Sequence, residues 1–335
     1  MNKSKTLITG LILVLAGLAV AAWCMFGNAA GGIGLTYENE VMYKIGDTQI
    51  SAPVEKLNVD WTEGFVNIVY HEGSGILISE TSPNALKEDD RLRWWLDGKT
   101  LRIHYAKSGV RLSLSSLQKT LTVSLPEGTA LLSADLSTTS ADMKIENPVS
   151  EEIILSSTSG NITASTVAKT LTGNSTSGSI YLSQSHGADS VILSSTSGDI
   201  YCTLDYAVKI SADSTSGSIG LNLATGAETI RTHSTSGGVG IDAASVKDAD
   251  LSSTSGNVIV QLAALESLKI DTTSGAVTAK LPEDPGFTCK VSTASGSFSS
   301  DIGLAKNGDT YSCGDGSARI SVDTTSGNVL IGKAE

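Results

Sequence analysis

Asp213, Arg231 and His233 come nearest, among the residues of this chain, to a set whose types and spacing could do chemistry. A carboxylate beside an imidazole can exchange protons, and a guanidinium two residues from that imidazole, at the same parity along a strand, could steady a developing negative charge. That chemistry would suit a carbohydrate-active enzyme. The three residues belong to a longer pattern, however. Asp213 and His233 fall in a column that also holds Ser156, Asn174, Ser194, Ser252, Asp271, Ser292 and Asp323, each four positions before a recurring glycine. A glycosidase needs two carboxyl groups about 5–9.5 Å apart. If the repeats stack in order as neighbouring strands, Asp213 and Asp271 lie three steps, or ~14 Å, apart. The column therefore reads as a polar surface, with a polysaccharide-acting enzyme kept as the competing reading. A second column, two positions before the glycine, is almost pure threonine: Thr158, Thr176, Thr196, Thr215, Thr235, Thr254 and Thr273. These threonines, with Asp213 and His233, are the candidate binding residues. Threonine arrays of this kind also suggest ice binding, but the neighbouring column is mixed rather than threonine, which weighs against it.

The columns exist because the chain repeats. The glycines fall at Gly160, Gly178, Gly198, Gly217, Gly237, Gly256, Gly275, Gly296 and Gly327, mostly 18–21 residues apart. That period is too short for a helix pair and belongs to stacked strands. Two residues after each glycine stands Ile162, Ile180, Ile200, Ile219, Val239, Val258, Val277, Phe298 or Val329, and seven before it Ile153, Leu171, Val191, Ile210, Ile230, Ala249, Leu268, Cys289 or Ile320. Alternation about a fixed corner is the period-two signature of strands with one buried face. The sequence predicts an all-β parallel solenoid of 19–20-residue rungs, each a strand, a Ser-Gly corner and a second strand.

Within the corner, the residue three before the glycine (Ser157 through Thr324) shares the inward parity, and its hydroxyl is expected to bond the same hydroxyl one rung away. The glycine itself is expected to supply a backbone conformation that side chains disfavour. The residue after it (Asn161, Ser179, Asp199, Ser218, Asn257, Asn328) resembles a calcium-binding string, but turn chemistry, with these side chains bonding their own backbone, explains it more simply. Upstream, "LSTTSADMKI" and "LNVDWTEGFVNI" carry the same register, with Trp61 in the small-residue place. "RLRWWLDGKTLRIHY" reads as a hairpin about Asp97-Gly98, and "LTVSLPEG" as a strand ending at Pro126.

The formal charge of −12 and the absence of a basic stripe argue against nucleic acid. Residues 6–26 carry no charge and match the ~20 residues of a membrane-spanning helix, preceded by Lys3 and Lys5. The expected layout is a cytoplasmic N-terminus at 1–5, a transmembrane anchor at 6–26, a linker at 27–50, degenerate rungs or a cap at 51–130, and the repeat domain at 131–335, with a cap insertion at 299–318. Everything after the anchor is expected outside the cell; a cleaved signal peptide is the alternative. Cys202, Cys289 and Cys313 form no metal-binding cluster, and no cofactor is expected. Cys289 and Cys313 are the candidate pair for a disulfide, against the alternative that both stay reduced. His71, His104 and His186 share no spacing and read as ordinary surface residues.

The short anchor, "LNVDWTEGFVNI", "DGKTLRIHY", "LTVSLPEG" and the serial "STSG" corners together resemble the bacterial putative-adhesin family of β-strand repeat domains, which includes accessory proteins of envelope-stress systems. The resemblance covers most of residues 50–335. It implies a surface-exposed, right-handed β-solenoid and supplies no catalytic residues. The resulting expectation is a non-enzymatic, membrane-anchored scaffold that meets a cell-envelope glycan or surface protein; an accessory sensor of an envelope-stress system is a further alternative.

Overall fold

The computed structural model describes residues 36–109, 116–284 and 286–334. The proposed anchor at 6–26 lies outside them. Among the described residues the fold is all-β, and no helix is long and apolar enough to cross a membrane.

The alternation seen in the sequence becomes a stack of parallel strands. Asp142–Ser157, Ile162–Ser175, Ile200–Ser214, Ile219–Ser234, Val239–Ser253 and Val258–Thr272 each pair in parallel along the solenoid, with Ile180–Gln184 and Ala188–Ser195 completing the rung between the second and third. Equivalent residues lie opposite one another, as in Ile162↔Ile180, Ile180↔Ile200 and Ile200↔Ile219. The core is thus built of columns. From Ile153 to Cys289 every member of the column seven before the glycine is at most 4% exposed. The column two after it is as dry from Ile162 to Val277, so the two rows close the interior from both sheets.

The corner glycines do not have left-handed backbones. Among the nine, none has a φ in the positive range. What requires glycine is proximity. A Cβ placed on any of them would stand 1.8–2.1 Å from the carbonyl oxygen of the corner one rung below, a distance no side chain tolerates. The same contacts give the order of the rungs. Gly178 sits on Gly160, and the series runs through Gly198, Gly217, Gly237 and Gly256 to Gly275; then Gly327 sits on Gly275, and Gly296 on Gly327.

The chain end is therefore stacked inside the solenoid rather than on its tip, which corrects the expectation of strictly sequential rungs. Ala318–Thr324 pairs with Val258–Thr272 on one side and Gly286–Thr293 on the other; Val329–Lys333 lies likewise between Val277–Leu281 and Phe298–Ser300. At that end Thr310–Gly314 runs antiparallel to Gly286–Thr293, with Ala305–Asn307 beyond it. The first end is arranged the same way. Lys56–Trp61 is stacked between Thr100–His104 and Ala130–Thr138, and Phe65–His71 between Thr120–Pro126 and Asp142–Ser157. Antiparallel strands, Arg93–Asp97 and Ile76–Thr81, cover the outermost rung.

Under this first cap sits an ion pair that the repeat pattern does not announce. Lys119, fully buried, brings its ammonium 2.8 Å from the Glu80 carboxylate, 2.6 Å from the Asp90 carbonyl, and over the rings of Trp61 and Tyr105 at 4.8 and 4.2 Å. Burial lowers the lysine's pKa and Glu80 raises it back.

The glycine argument yields a direct test. Gly217→Ala is expected to cost about 3 kcal/mol or more, because the contact is with backbone that cannot step aside. Gly303→Ala, at a site with open space around it and no positive φ, is expected to stay within about 0.5 kcal/mol of the parent. Urea unfolding midpoints of the two variants check the contrast; similar midpoints would rule out close approach as the reason for the glycine.

Candidate binding face

Each corner is held by hydroxyl and amide groups in a repeating arrangement. The inward Ser or Thr accepts the N–H of its own corner glycine: Gly217 to Ser214 at 2.9 Å, Gly237 to Ser234 at 3.0 Å, Gly256 to Ser253 at 2.9 Å and Gly275 to Thr272 at 3.0 Å. The hydroxyl then donates to the glycine carbonyl of the neighbouring rung, as Ser253 does to Gly237 at 3.2 Å. The hydroxyl-to-hydroxyl contact expected from the sequence occurs between Thr138 and Ser157, 3.2 Å apart. At Ser214, Ser234, Ser253, Thr272, Thr293 and Thr324 the nearer glycine N–H takes its place, whereas the buried hydroxyls of Ser175 and Ser195 have no hydrogen-bond partner among the described residues.

The residue after the glycine also bonds across rungs rather than to its own backbone. Asn161 Oδ1 accepts the N–H of Ser179 at 2.9 Å, Asp199 Oδ1 that of Ser218 at 2.8 Å, and Asn257 Oδ1 that of Ala276 at 3.0 Å. These side-chain oxygens are spent on the architecture, which explains the column without a metal.

Between these two anchors the corner presents its threonines outward. Thr158, Thr176, Thr196, Thr215, Thr235, Thr254 and Thr273 follow one another along the solenoid, with Thr325 next and Ala294 last. Their spacing is set by backbone bonds, since each threonine N–H donates to the rung below, as Thr235 does to the Ser214 carbonyl at 3.2 Å. The result is a ladder of hydroxyls at the ~4.8 Å rung repeat.

The polar column beside the ladder does not converge on a catalytic geometry. Asp213 and His233 do lie opposite each other in the register. The imidazole, however, meets the Ser252 hydroxyl at 2.9 Å through Nδ1, and Arg231 is drawn to Asp248 at 3.9 Å. The interleaved C-terminus creates a neighbour the sequence order hides: Asp323, not Ser292, lies opposite Asp271. Those two carboxylates come close enough in backbone spacing to suit a double-displacement site. Asp323 is exposed, and Asp271 is ion-paired with Lys269, which also reaches Asp250 at 3.7 Å. Neither sits in an apolar pocket of the kind that a glycosidase builds around its acid. His233, Ser252, Thr254, Asp271, Thr273, Asp323 and Thr325 line a shallow groove along this face.

Two other expectations are corrected. Cys289 and Cys313 are free thiols. The antiparallel register sets Cys313 opposite Phe287 and Cys289 opposite Tyr311, a diagonal of about 7–8 Å that a disulfide cannot span. Cys202 is also free and buried. His104 is not a loose surface residue: Tyr37 stacks on its ring at 4.0 Å, the Tyr43 hydroxyl meets Nε2 at 3.1 Å, and Asp60 lies 3.6 Å from Nδ1. No spacing rule finds this nest, because it joins the first described residues to a strand some 60 positions on.

A family model described as Toastrack DUF4097 matches residues 54–244 and again 225–332, together the whole run of stacked rungs. The chain belongs to the Toastrack DUF4097 family. Toastrack chains are strand-repeat domains of unknown function, and this one has the β-solenoid form. Among solved structures, it is similar to a putative adhesin from Parabacteroides distasonis, at 14% identity and a TM-score of 0.44 over 86% of this chain and 97% of that one. It is similar also to a putative adhesin from Bacteroides fragilis, at 11% identity and a TM-score of 0.36 over 87% and 96%. A putative cell adhesion protein from Clostridium sporogenes matches at 11% identity and a TM-score of 0.18 over 87% and 99%. No curated protein matches the chain.

The electrostatics of the polar column can be tested without a ligand. Burial raises the Asp213 carboxyl above its usual range, while His233 and the Ser211 hydroxyl pull it back. A carboxyl raised on folding works against the fold once pH exceeds its folded value and contributes nothing below its unfolded one. Asp213→Asn in this Toastrack chain is thus expected to keep or raise the unfolding midpoint near pH 7, with no advantage near pH 3. A clear loss near pH 7 would mean that the carboxylate holds a stabilising partner.

Proposed function

We propose that this chain is a non-enzymatic, membrane-anchored adhesin-like scaffold that displays the threonine ladder, with Asp213 and His233 beside it, to a cell-envelope glycan or surface protein. The observation that carries this reading is the ladder itself: identical hydroxyls held at one repeat by backbone bonds, on a face where Arg231 and Lys269 are drawn to neighbouring carboxylates. Such a face offers many weak contacts at fixed spacing, and a partner with its own repeat sums them. The apolar segment at 6–26 would hold the solenoid at the membrane and outside it.

Binding of the full-length chain to isolated bacterial envelope, measured as a function of ladder substitution, tests the proposal. Each of Thr196→Ala, Thr215→Ala and Thr235→Ala is expected to weaken binding by about 2–10-fold, with the losses compounding in the triple variant. Envelope binding unaffected by the triple variant contradicts the reading. So does polysaccharide cleavage by the parent that His233→Ala abolishes, which would favour an enzyme.

A further inference from the structure

A second strip lies on the sheet that follows the corner, away from the threonine ladder. The residue three after the glycine faces outward there, and successive rungs place Thr163, Tyr181, Tyr201, Gly220, Gly240 and Ile259 side by side. The two tyrosine rings are nearly parallel, with centroids 5.5 Å apart and planes 11° from each other, and both are 44% exposed. Tyr201 leans over the next rung: a Cβ on Gly220 would meet its ring at 2.9 Å. Gly240 continues the lane, where a Cβ would meet only the Ile219 carbonyl oxygen at 3.9 Å, and Ile259, 56% exposed, closes it. The floor from Tyr181 to Ile259 spans four rung steps, or ~19 Å.

Beside this floor runs a row of exposed polar side chains, Ser183, Thr203, Asn222 and Asp242. In contrast to the Asn and Asp column, none of these four side chains makes a hydrogen bond among the described residues. Flat aromatic faces carry negative potential toward C–H groups, and unused hydroxyl, amide and carboxylate groups alongside can meet hydroxyls. The charge of the strip narrows the ligand. Its floor carries no charge, its rim carries Asp242, and the chain as a whole is at −12, so a polyanion would be repelled.

We infer that Tyr181, Tyr201, Gly220, Gly240 and Ile259 form the floor of a binding strip for an uncharged polysaccharide, laid along the solenoid axis. Its sugar rings stack their C–H faces on the tyrosines, the glycines let the chain lie close to the sheet, and Thr203, Asn222 and Asp242 bond its hydroxyls. The strip is separate from the threonine ladder and stands whether or not that face binds anything.

Calorimetric titration of the full-length chain with cellohexaose, chitohexaose and polygalacturonate tests the inference. One or both uncharged chains are expected to bind and polygalacturonate not to. Tyr181→Ala and Tyr201→Ala are each expected to weaken binding by about 2–10-fold, while Tyr201→Phe, which keeps the ring, leaves it intact. Both positions are exposed, so unchanged unfolding midpoints are expected to accompany these effects. The inference is overturned if neither uncharged chain binds, if polygalacturonate alone binds, or if binding survives both alanine variants.

Discussion

The close approach of backbone to backbone at each corner governs the remainder of this structure. With no Cβ at Gly217, the chain comes so near the Gly198 carbonyl that any side chain would overlap it, and the same contact recurs up the stack. Because the approach is this tight, the rungs cannot slide against one another by even one residue. The inward Ser or Thr can then reach its own glycine N–H and the neighbouring glycine carbonyl, and the Asn or Asp that follows can bond the next rung. In-register columns of Ile, Val and Leu follow from the same constraint, since fixing the corner fixes the strands on either side. The outward threonines inherit their regular spacing from it, and so does the tyrosine and glycine lane on the other sheet.

A solenoid built on such contacts must protect its ends. Strand edges recruit further strands, and natural proteins cover them. Here the first long strand and the last strand of the described fold are tucked one rung inside, so Lys56–Trp61 and Val329–Lys333 are paired on both sides, and antiparallel strands, Lys44–Ile45 and Thr48–Ile50 among them, cap the first end. The first cap adds a dry ion pair, Lys119 with Glu80, between aromatic rings. An ammonium buried without its carboxylate would be strongly destabilising, so the pair fixes how that cap closes.

Much of this was legible in the sequence. The rung period, the buried parity from Ile153 to Ile331, the hairpin about Asp97-Gly98 and the strand ending at Pro126 follow from residue order alone, because each depends on neighbours within one or two rungs. The reason for the glycine was misread, since a one-dimensional pattern shows that a side chain is absent but not whether torsion or proximity excludes it. Rung order at the two ends was also hidden. Gly296 and Gly327 carry the same motif, and nothing in their spacing says that the later one stacks first on Gly275. That inversion is why Asp271 meets Asp323 rather than Ser292. The Lys119 and His104 environments join residues many positions apart without repetition, so no periodic signal marks them.

Corner packing, on this account, decides which rung lies on which, and the interleaved C-terminus is its most specific consequence. Cysteine pairs read that order directly. Thr273 and Thr325 occupy adjacent rungs, ~4.8 Å apart, whereas Thr273 and Ala294 are two rungs, or ~9.6 Å, apart. Under mild oxidation the double variant Thr273→Cys/Thr325→Cys should form an intramolecular disulfide and Thr273→Cys/Ala294→Cys should not. The reverse pattern, crosslinking of the second pair alone, would mean that the rungs stack in simple sequence order and would contradict the account.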